Sequence, residues 1–90
     1  DTVAIGVMKA IREAGYRIPE DISVIGVDDI PFSAMTMPAL TTMRISRSAL
    51  GTLAVDTLRK RIKSPNWPTM RIRVAGRLVV RGSTRPAEGE

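Results

Sequence analysis

Two adjacent carboxylates, Asp28 and Asp29, are the residues of this chain best placed to do chemistry. They follow a run over residues 22–27 that is apolar except for Ser23 and Gly26. A near-continuous apolar run predicts a central parallel strand that helices cover on both faces. In open α/β sheets, ligands bind beyond the carboxyl ends of the strands. We therefore predict that the two carboxylates lie where a small polar molecule would be held.

The two carboxylates have different predicted roles. A buried carboxylate such as Asp28 can accept two hydrogen bonds from hydroxyl or ring N–H groups, and a ligand without those groups leaves the charge unpaired. The alternative for Asp28 is a cap on the following turn at Ile30 and Pro31, since Asp commonly precedes loops that contain proline. For Asp29 the turn is the favoured interpretation.

The composition argues against an enzyme. The chain has no histidine and no cysteine, so the commonest general base, the commonest transition-metal ligands and the thiol nucleophile are all missing. Adjacent residues of a strand point to opposite sides, so Asp28 and Asp29 cannot serve as acid and base on one substrate. One of them could bind Mg²⁺ together with phosphates, but the sequence has no glycine-rich phosphate loop. We predict no catalytic activity, no cofactor and no metal site.

Length and charge limit the possible partners. Ninety residues allow one small domain, and a formal charge of +5 raises the possibility of nucleic acid. One aromatic residue of each type, and no basic run longer than residues 59–61, argue against a surface that reads nucleic acid. No apolar run approaches the roughly 18 residues that span a bilayer. The chain begins at Asp1 directly in helix-like sequence, so we expect a piece of a longer chain.

The first half of the chain contains a predicted helix and a predicted apolar loop. Asp1 can cap a helix over residues 2–14, and Gly15 then ends it. The apolar stripe of this helix is predicted at Val3, Val7, Met8, Ile11 and Ala14. Ile5 and Lys9 lie off the stripe and form either a second contact face or ordinary exposed surface. Residues 30–40 are bracketed by prolines and rich in Met and Phe, which predicts an apolar loop that needs cover.

The second half predicts a strand, a helix and two further strands. Residues 41–45 fit a short strand, after which Ser46 or Ser48 caps a helix. The cations at its end, residues 59–63, indicate a solvated helix terminus rather than a phosphate site. Residues 70–74 alternate like an edge strand and residues 78–80 form a last strand, joined by a hairpin or a bend. Residues 85–90 predict a frayed tail.

An ordered set of motifs in this chain resembles the LacI/GalR family of bacterial transcriptional regulators. The motifs are residues 1–6 (DTVAIG), 18–29 (IPEDISVIGVDD), 38–42 (PALTT), 50–51 (LG) and 78–84 (LVVRGST). The match covers nearly the whole chain and corresponds to the C-terminal part of the family's effector-binding region. It implies an α/β fold: part of a periplasmic-binding-protein-like core, with parallel strands and flanking helices, incomplete without the upstream chain.

The resemblance also implies where each segment belongs. Residues 1–41 would lie in the C-terminal lobe, residues 46–74 in the N-terminal lobe and residues 77–84 in a final strand, with 85–90 as the tail. Residues 42–45 would cross between the lobes, which favours the bend over the hairpin. Family members often have a polar pair such as Gln-Pro where this chain has Ile45 and Ser46.

Specific residues acquire roles from the resemblance. The Asp that matches Asp28 typically contacts the effector, which favours the ligand role for Asp28, while Asp29 stays the weaker candidate. Arg47 matches a cleft-facing position and could pair an anionic ligand group, or lie in a solvated helix start. Dimers of the family pack the helix and the loop matching residues 3–14 and 30–37 against their copies. The interface candidates are Ile5, Met8, Lys9, Phe32, Met35 and Met37.

The resemblance implies a cytoplasmic regulator rather than an enzyme. Its effector would be a small metabolite, a sugar in the first instance, that modulates operator binding by an N-terminal helix-turn-helix absent from these residues. The expected partners are the effector, a second copy of the chain and, through the missing domain, operator DNA, with no membrane contact. The alternatives are a fragment of a periplasmic sugar-binding protein of a transporter, which shares the fold, and a fragment that only dimerises.

Overall fold

A computed structural model describes residues 1–88 as a mixed α/β arrangement of helices and one small sheet. In chain order the elements are α1 (Thr2–Glu13), β1 (Ile25–Val27), a 3-10 turn (Pro31–Ala34), β2 (Thr41–Arg44), α2 (Arg47–Lys63) and β3 (Arg77–Val79). The sheet order is β1-β2-β3, in which β1 and β2 are parallel and β3 is antiparallel to β2. The predicted α/β class is confirmed.

The chain divides into two compact units. One contains Asp1–Arg44 and the residues from Arg77 onward, and the other contains Ile45–Gly76. The whole sheet and α1 belong to the first unit, whereas α2 belongs to the second. The assignment of these segments to the two lobes of a longer protein stays a prediction.

The core of the first unit lies between α1 and the sheet. Its buried apolar side chains are Met8, Ile18, Val24 and Leu40, and Ala4, Ile5 and Ile11 pack against them. Our choice of stripe on α1 was partly wrong, because Val3 is 80% exposed and Val7 44% exposed, while Ile5 contacts the core. The helix has two apolar faces, and periodicity alone does not say which of them the sheet covers.

Strand β1 is shorter and more exposed than predicted. Gly26 is buried, but Ile25 and Val27, which point to the opposite face, are 57% and 52% exposed. Within residues 1–88, β1 also lies at an edge of the sheet rather than at its centre. The prediction of a central strand covered on both faces is therefore wrong for the described residues, because α1 packs against β1 but the face with Ile25 and Val27 stays open to solvent.

The final strand, β3, pairs with β2, as expected if a bend rather than a hairpin joins it to residues 70–74. β3 joins β2 with Met43 opposite Leu78, so the chain makes no hairpin between residues 70–74 and β3. Our prediction of a strand over residues 70–74 is wrong in the described chain, because a strand needs a partner and the unit Ile45–Gly76 offers none.

Two smaller segments also differ from expectation. Pro31–Ala34 form a 3-10 turn inside the predicted loop, which a proline in the first turn permits. The predicted frayed tail is tied at its start, because the Arg85 backbone N–H donates to Ser23 Oγ at 3.2 Å and the Arg85 side chain pairs with Glu88 at 3.0 Å. The rest of that predicted tail, residues 89 and 90, lies outside the described residues.

The second unit consists of α2 and the segment that follows it. Of the two candidate caps, Ser46 is the one used, since its hydroxyl accepts the Ala49 N–H at 3.2 Å. The helix ends in a basic turn, where the Lys60 ammonium lies 5.8 Å from the centre of the Trp67 ring. Apolar side chains of α2 and of residues 70–74 line a shallow cavity of about 380 Å³. Across residues 1–88, neither helix has the length and apolar character that a membrane crossing requires.

Candidate functional site

The candidate site is the turn that follows β1. Asp28 has a φ of 117° and Asp29 a φ of 56°, a half of backbone space that residues other than glycine rarely occupy. The Asp28 residue is exposed, whereas the Asp29 side chain is only 4% exposed. The turn therefore places two neighbouring acidic residues in different surroundings, since Asp28 is an exposed residue and the Asp29 side chain is enclosed by protein.

Successive backbone N–H groups hold this turn in place. Each of the three donates to a different partner: Asp28 to Met43 O at 2.9 Å, Asp29 to Thr42 Oγ1 at 3.3 Å, and Ile30 to Asp1 Oδ2 at 3.0 Å. The partners belong to β2 and to the residue before α1. An unfavourable backbone conformation persists only where its surroundings determine it from several sides, and this turn meets that condition.

Asp1 does not play the part we predicted for it. Its carboxylate makes no capping bond to α1. It instead accepts hydrogen bonds from Ile30 N at 3.0 Å, Ser33 Oγ at 2.5 Å and Thr42 Oγ1 at 2.6 Å. Ser33 and Thr42 are fully buried, and buried hydroxyls need an acceptor. Asp1 therefore ties the start of α1 to the turn and to β2.

Gly26 makes room for the Asp1 carboxylate. A Cβ at this position would collide with Asp1 Oδ1 and would lie 3.0 Å from Leu40 Cδ2. Gly26 is not in a left-handed conformation, so the requirement here is space rather than backbone freedom. The absence of a side chain in β1 thus lets Asp1 reach the donors of the turn.

The Asp29 carboxylate binds two arginines. Its Oδ1 lies 2.7 Å from Arg81 Nη2, and its Oδ2 lies 2.7 Å from Arg44 Nη2 and 2.8 Å from Arg44 Nε. Arg81 also donates to Leu40 O at 3.0 Å, and its side chain is 18% exposed. The hydrogen bond from Arg81, reinforced by that from Arg44, outweighs the effect of burial and lowers the pKa of Asp29 below its ordinary value.

This lowered pKa makes stability depend on pH. Asp29 binds a proton more weakly in the folded state than in the unfolded state, so its stabilisation is complete above the unfolded pKa and is lost as pH falls through the folded pKa. We expect the urea concentration at the unfolding midpoint of the full-length protein to decrease as the pH is lowered below about 4. The decrease should be smaller in Asp29→Asn. Midpoints followed by circular dichroism between pH 7 and pH 2 check this. Parallel curves for the two proteins would contradict it.

The other predicted site residues lie in different places. Arg47 is the first residue of α2, in the second unit. Met8 lies in the core and is 1% exposed, so its side chain cannot meet a partner. The prediction of Met8 as an interface residue is therefore wrong. Ile5 is half-buried against the core, and Lys9 is exposed, with its ammonium 3.9 Å from Glu13.

The remaining interface candidates share one property, which is that they are apolar and exposed. They are Phe32, Met35 and Met37. The outward face of α1 adds Val3 and Val7, which the sequence analysis had placed in the apolar stripe of the helix. We call these five residues the apolar patch.

Sequence reasoning missed the residues that support the turn. Thr42, Arg44 and Arg81 were placed in strands or motifs without a partner, and Asp1 was given a helix cap instead. Arg81 lies in the motif over residues 78–84, and this is the only sequence signal that could have singled it out. Among residues 1–88, no three His, Cys, Asp or Glu side chains are grouped so as to hold a metal ion.

Comparison with known proteins shows the family to which the chain belongs. Residues 1–84 match the family of periplasmic binding protein-like domains. The whole chain is 43% identical over 90 residues to the HTH-type transcriptional regulator MalR of Streptomyces coelicolor, of which it covers 26%. The chain therefore spans about a quarter of the length of that relative.

Two solved structures are similar in fold and in sequence. A LacI family transcriptional regulator from Enterococcus faecium with bound ribose superimposes with a TM-score of 0.76 at 35% identity, covering 98% of this chain and 33% of that one. The lac repressor dimer bound to operator and the anti-inducer ONPF gives a TM-score of 0.80 at 36% identity, covering 93% and 29%. These matches confirm the resemblance on which the sequence analysis relied.

Proposed function

Because the chain belongs to the family of periplasmic binding protein-like domains, in the form that LacI-type transcriptional regulators carry, we propose that it is the sugar-sensing and dimerising portion of such a regulator. In this proposal the full-length protein is cytoplasmic, and sugar binding changes how tightly a helix-turn-helix elsewhere in that protein binds operator DNA. The observation that supports it is the position of Asp28, an exposed residue that follows a parallel strand on a turn held by hydrogen bonds from three backbone N–H groups.

A sugar suits the chemistry of Asp28. An ionised carboxylate only accepts hydrogen bonds, and sugar hydroxyls can donate them in pairs. The Enterococcus faecium relative was solved with ribose, which makes a pentose the first candidate. In the proposal Arg47 supplies a second polar contact, and Asp29 supports the turn rather than touching the sugar.

The sugar would act by differential binding to two arrangements of the full-length protein. A ligand shifts a conformational equilibrium only to the extent that it binds one state more tightly than the other. By linkage, the state that the sugar favours must differ in operator affinity, and the operator must change sugar affinity by the same factor. The sugar weakens operator binding if the state in which Asp28 binds it more tightly has the lower operator affinity, and strengthens operator binding in the opposite case.

The apolar patch is the proposed dimer surface. Its five side chains, on α1 and on the loop before β2, are all exposed in the single chain. An apolar surface of this kind on a soluble protein commonly marks an interface, and a two-fold dimer buries the same surface on both copies. The lac repressor relative was solved as a dimer. Ile5 and Lys9 stay candidates for the edge of this surface.

The regulator is favoured over a transporter component. A periplasmic sugar-binding protein would share the domain family. The Streptomyces coelicolor relative, which is 43% identical to this chain, is however an HTH-type regulator, and both similar structures are regulators as well. None of these three proteins is named as an enzyme, which is consistent with the missing histidine and cysteine.

Calorimetric titration of the full-length protein tests the proposal. We expect one sugar of a panel that starts with ribose and includes other pentoses, hexoses and disaccharides to bind saturably, and to change the affinity of the protein for its operator. The 90-residue chain alone is the control and should bind no sugar strongly, because part of the cleft is missing. A panel in which no sugar binds, or in which binding leaves operator affinity unchanged, would contradict the proposal.

A further inference from the structure

We propose that Asp29, held by Arg81 and Arg44, is a positioning residue that fixes the direction of the neighbouring Asp28 carboxylate and so sets its affinity for the effector. This inference rests on the proposed function, in which Asp28 contacts the sugar. It adds a separate claim, that the carboxylate one residue further along determines how well Asp28 can do so.

The backbone of the turn has an anchor beyond its own hydrogen bonds. Asp28 and Asp29 are consecutive residues with positive φ, and neither is a glycine. Short polar side chains tolerate this conformation better than others, but it remains unfavourable without outside support. The three backbone N–H bonds fix the turn toward β2 and Asp1. The Asp29 carboxylate fixes it on a further side, toward the arginines.

The anchor at Asp29 is rigid because each end of it is held. Arg81 bonds with one guanidinium nitrogen to Asp29 Oδ1 and with another to the carbonyl of Leu40, a core residue. Arg44, at the end of β2, takes the other carboxylate oxygen. Solvent screens the Asp29–Arg81 pair only weakly, because both side chains are largely buried, and the two guanidinium donors of Arg44 fix the direction of the other carboxylate oxygen.

Adjacency converts this anchor into control of Asp28. The peptide unit that joins the two residues is planar and moves as one body, so a rotation of the Asp29 backbone changes the direction of the Asp28 carboxylate. Asp28 has a φ of 117° directly before the anchored residue. Loss of the Asp29 charge should release both residues toward ordinary backbone conformations and spread the Asp28 carboxylate over several directions.

The decisive variant is Asp29→Asn in the full-length protein. Asparagine keeps the shape of aspartate and its tolerance of positive φ, but it removes the charge that both arginines bind. We expect the dissociation constant for ribose, or for the sugar of the panel that binds the parent, to rise about tenfold. The titrations are run at a temperature where both proteins are folded, so that a role in stability alone would leave the dissociation constant unchanged.

Two further variants keep the test interpretable. Arg44→Gln removes the more exposed arm of the anchor and should raise the dissociation constant about threefold, which provides a reading even if Asp29→Asn does not fold. Asp21→Asn is the matched control, because Asp21 also pairs with an arginine, Arg17, at 3.3 Å, and also has a lowered pKa. It lies away from the turn and should leave sugar binding unchanged.

The outcomes separate this inference from the proposed function. If Asp28→Ala abolishes sugar binding while Asp29→Asn and Arg44→Gln bind within twofold of the parent, positioning by Asp29 is wrong and the proposed function stands. If the parent binds no sugar of the panel, the proposed function fails, and a crystal structure of Asp29→Asn decides the positioning claim. Asp28 still at a φ near its parent value would overturn it, and a changed φ would support it.

Discussion

Replacing Asp28 with alanine in the full-length protein should weaken sugar binding by about 100-fold or more and remove the influence of the sugar on operator affinity. The substitution deletes an acceptor of two charge-assisted hydrogen bonds, each of which contributes about 1.5–3 kcal/mol. A loss of about 3 kcal/mol corresponds to roughly a hundredfold change in the dissociation constant. Calorimetry measures the sugar affinity, and fluorescence anisotropy of labelled operator, with and without sugar, measures the response.

Asp28 is exposed, so its truncation removes no side chain from the buried core. Alanine tolerates the φ of 117° less well than aspartate, so the unfolding midpoint should fall, and the titrations are run at a temperature where both proteins are folded. Asp56→Ala, which removes an exposed carboxylate from α2, is the matched control and should retain the sugar response. An Asp28→Ala protein that still responds to sugar would take Asp28 out of the proposed role.

The second large effect is expected at the apolar patch. Met35→Asp should raise the dimer dissociation constant of the full-length protein by about 100-fold or more, because the dimer would bury an unpaired charge on each copy. Met35 is 72% exposed in the single chain, so the folded monomer should tolerate the change. Sedimentation equilibrium over a range of protein concentrations measures the dissociation constant.

The conservative variant Met35→Leu is the control for a substitution at this position that introduces no charge. It keeps an apolar side chain of similar volume and should leave the dimer intact. If Met35→Asp dimerises as tightly as the parent, the apolar patch is not the interface, and some other surface must join the two copies.

Local patterns predicted where several elements begin and end. The start of α1 after Asp1, the strand that ends before Asp28 and the cap at Ser46 follow from spacing and residue type, and the structure has all three. Pattern was insufficient where one element has two similar faces. On α1, Val3 and Val7 form as regular a stripe as Ala4, Met8 and Ile11, and only the position of the sheet decides between them.

The polar framework of the site could not be read from the sequence, because its contacts join distant residues. Arg81 meets Asp29 across 52 positions, and Thr42 meets Asp1 across 41. Spacing rules describe neighbours three or four residues apart, such as Arg17 and Asp21. The family resemblance pointed to Asp28 as the ligand contact but gave no partner for Asp29. Only the folded sheet brings these distant residues together, so spacing along the sequence cannot predict the pairs.

Gly26 carries a consequence for anyone who would redesign this protein. Glycine is a poor strand former, and a valine there would be an obvious choice to strengthen β1. The space above its Cα is already taken by the carboxylate of Asp1, the residue that precedes α1. A side chain that fills this space would displace Asp1 from the turn, so any gain in the stability of the sheet would disturb the geometry on which the proposed sugar binding depends.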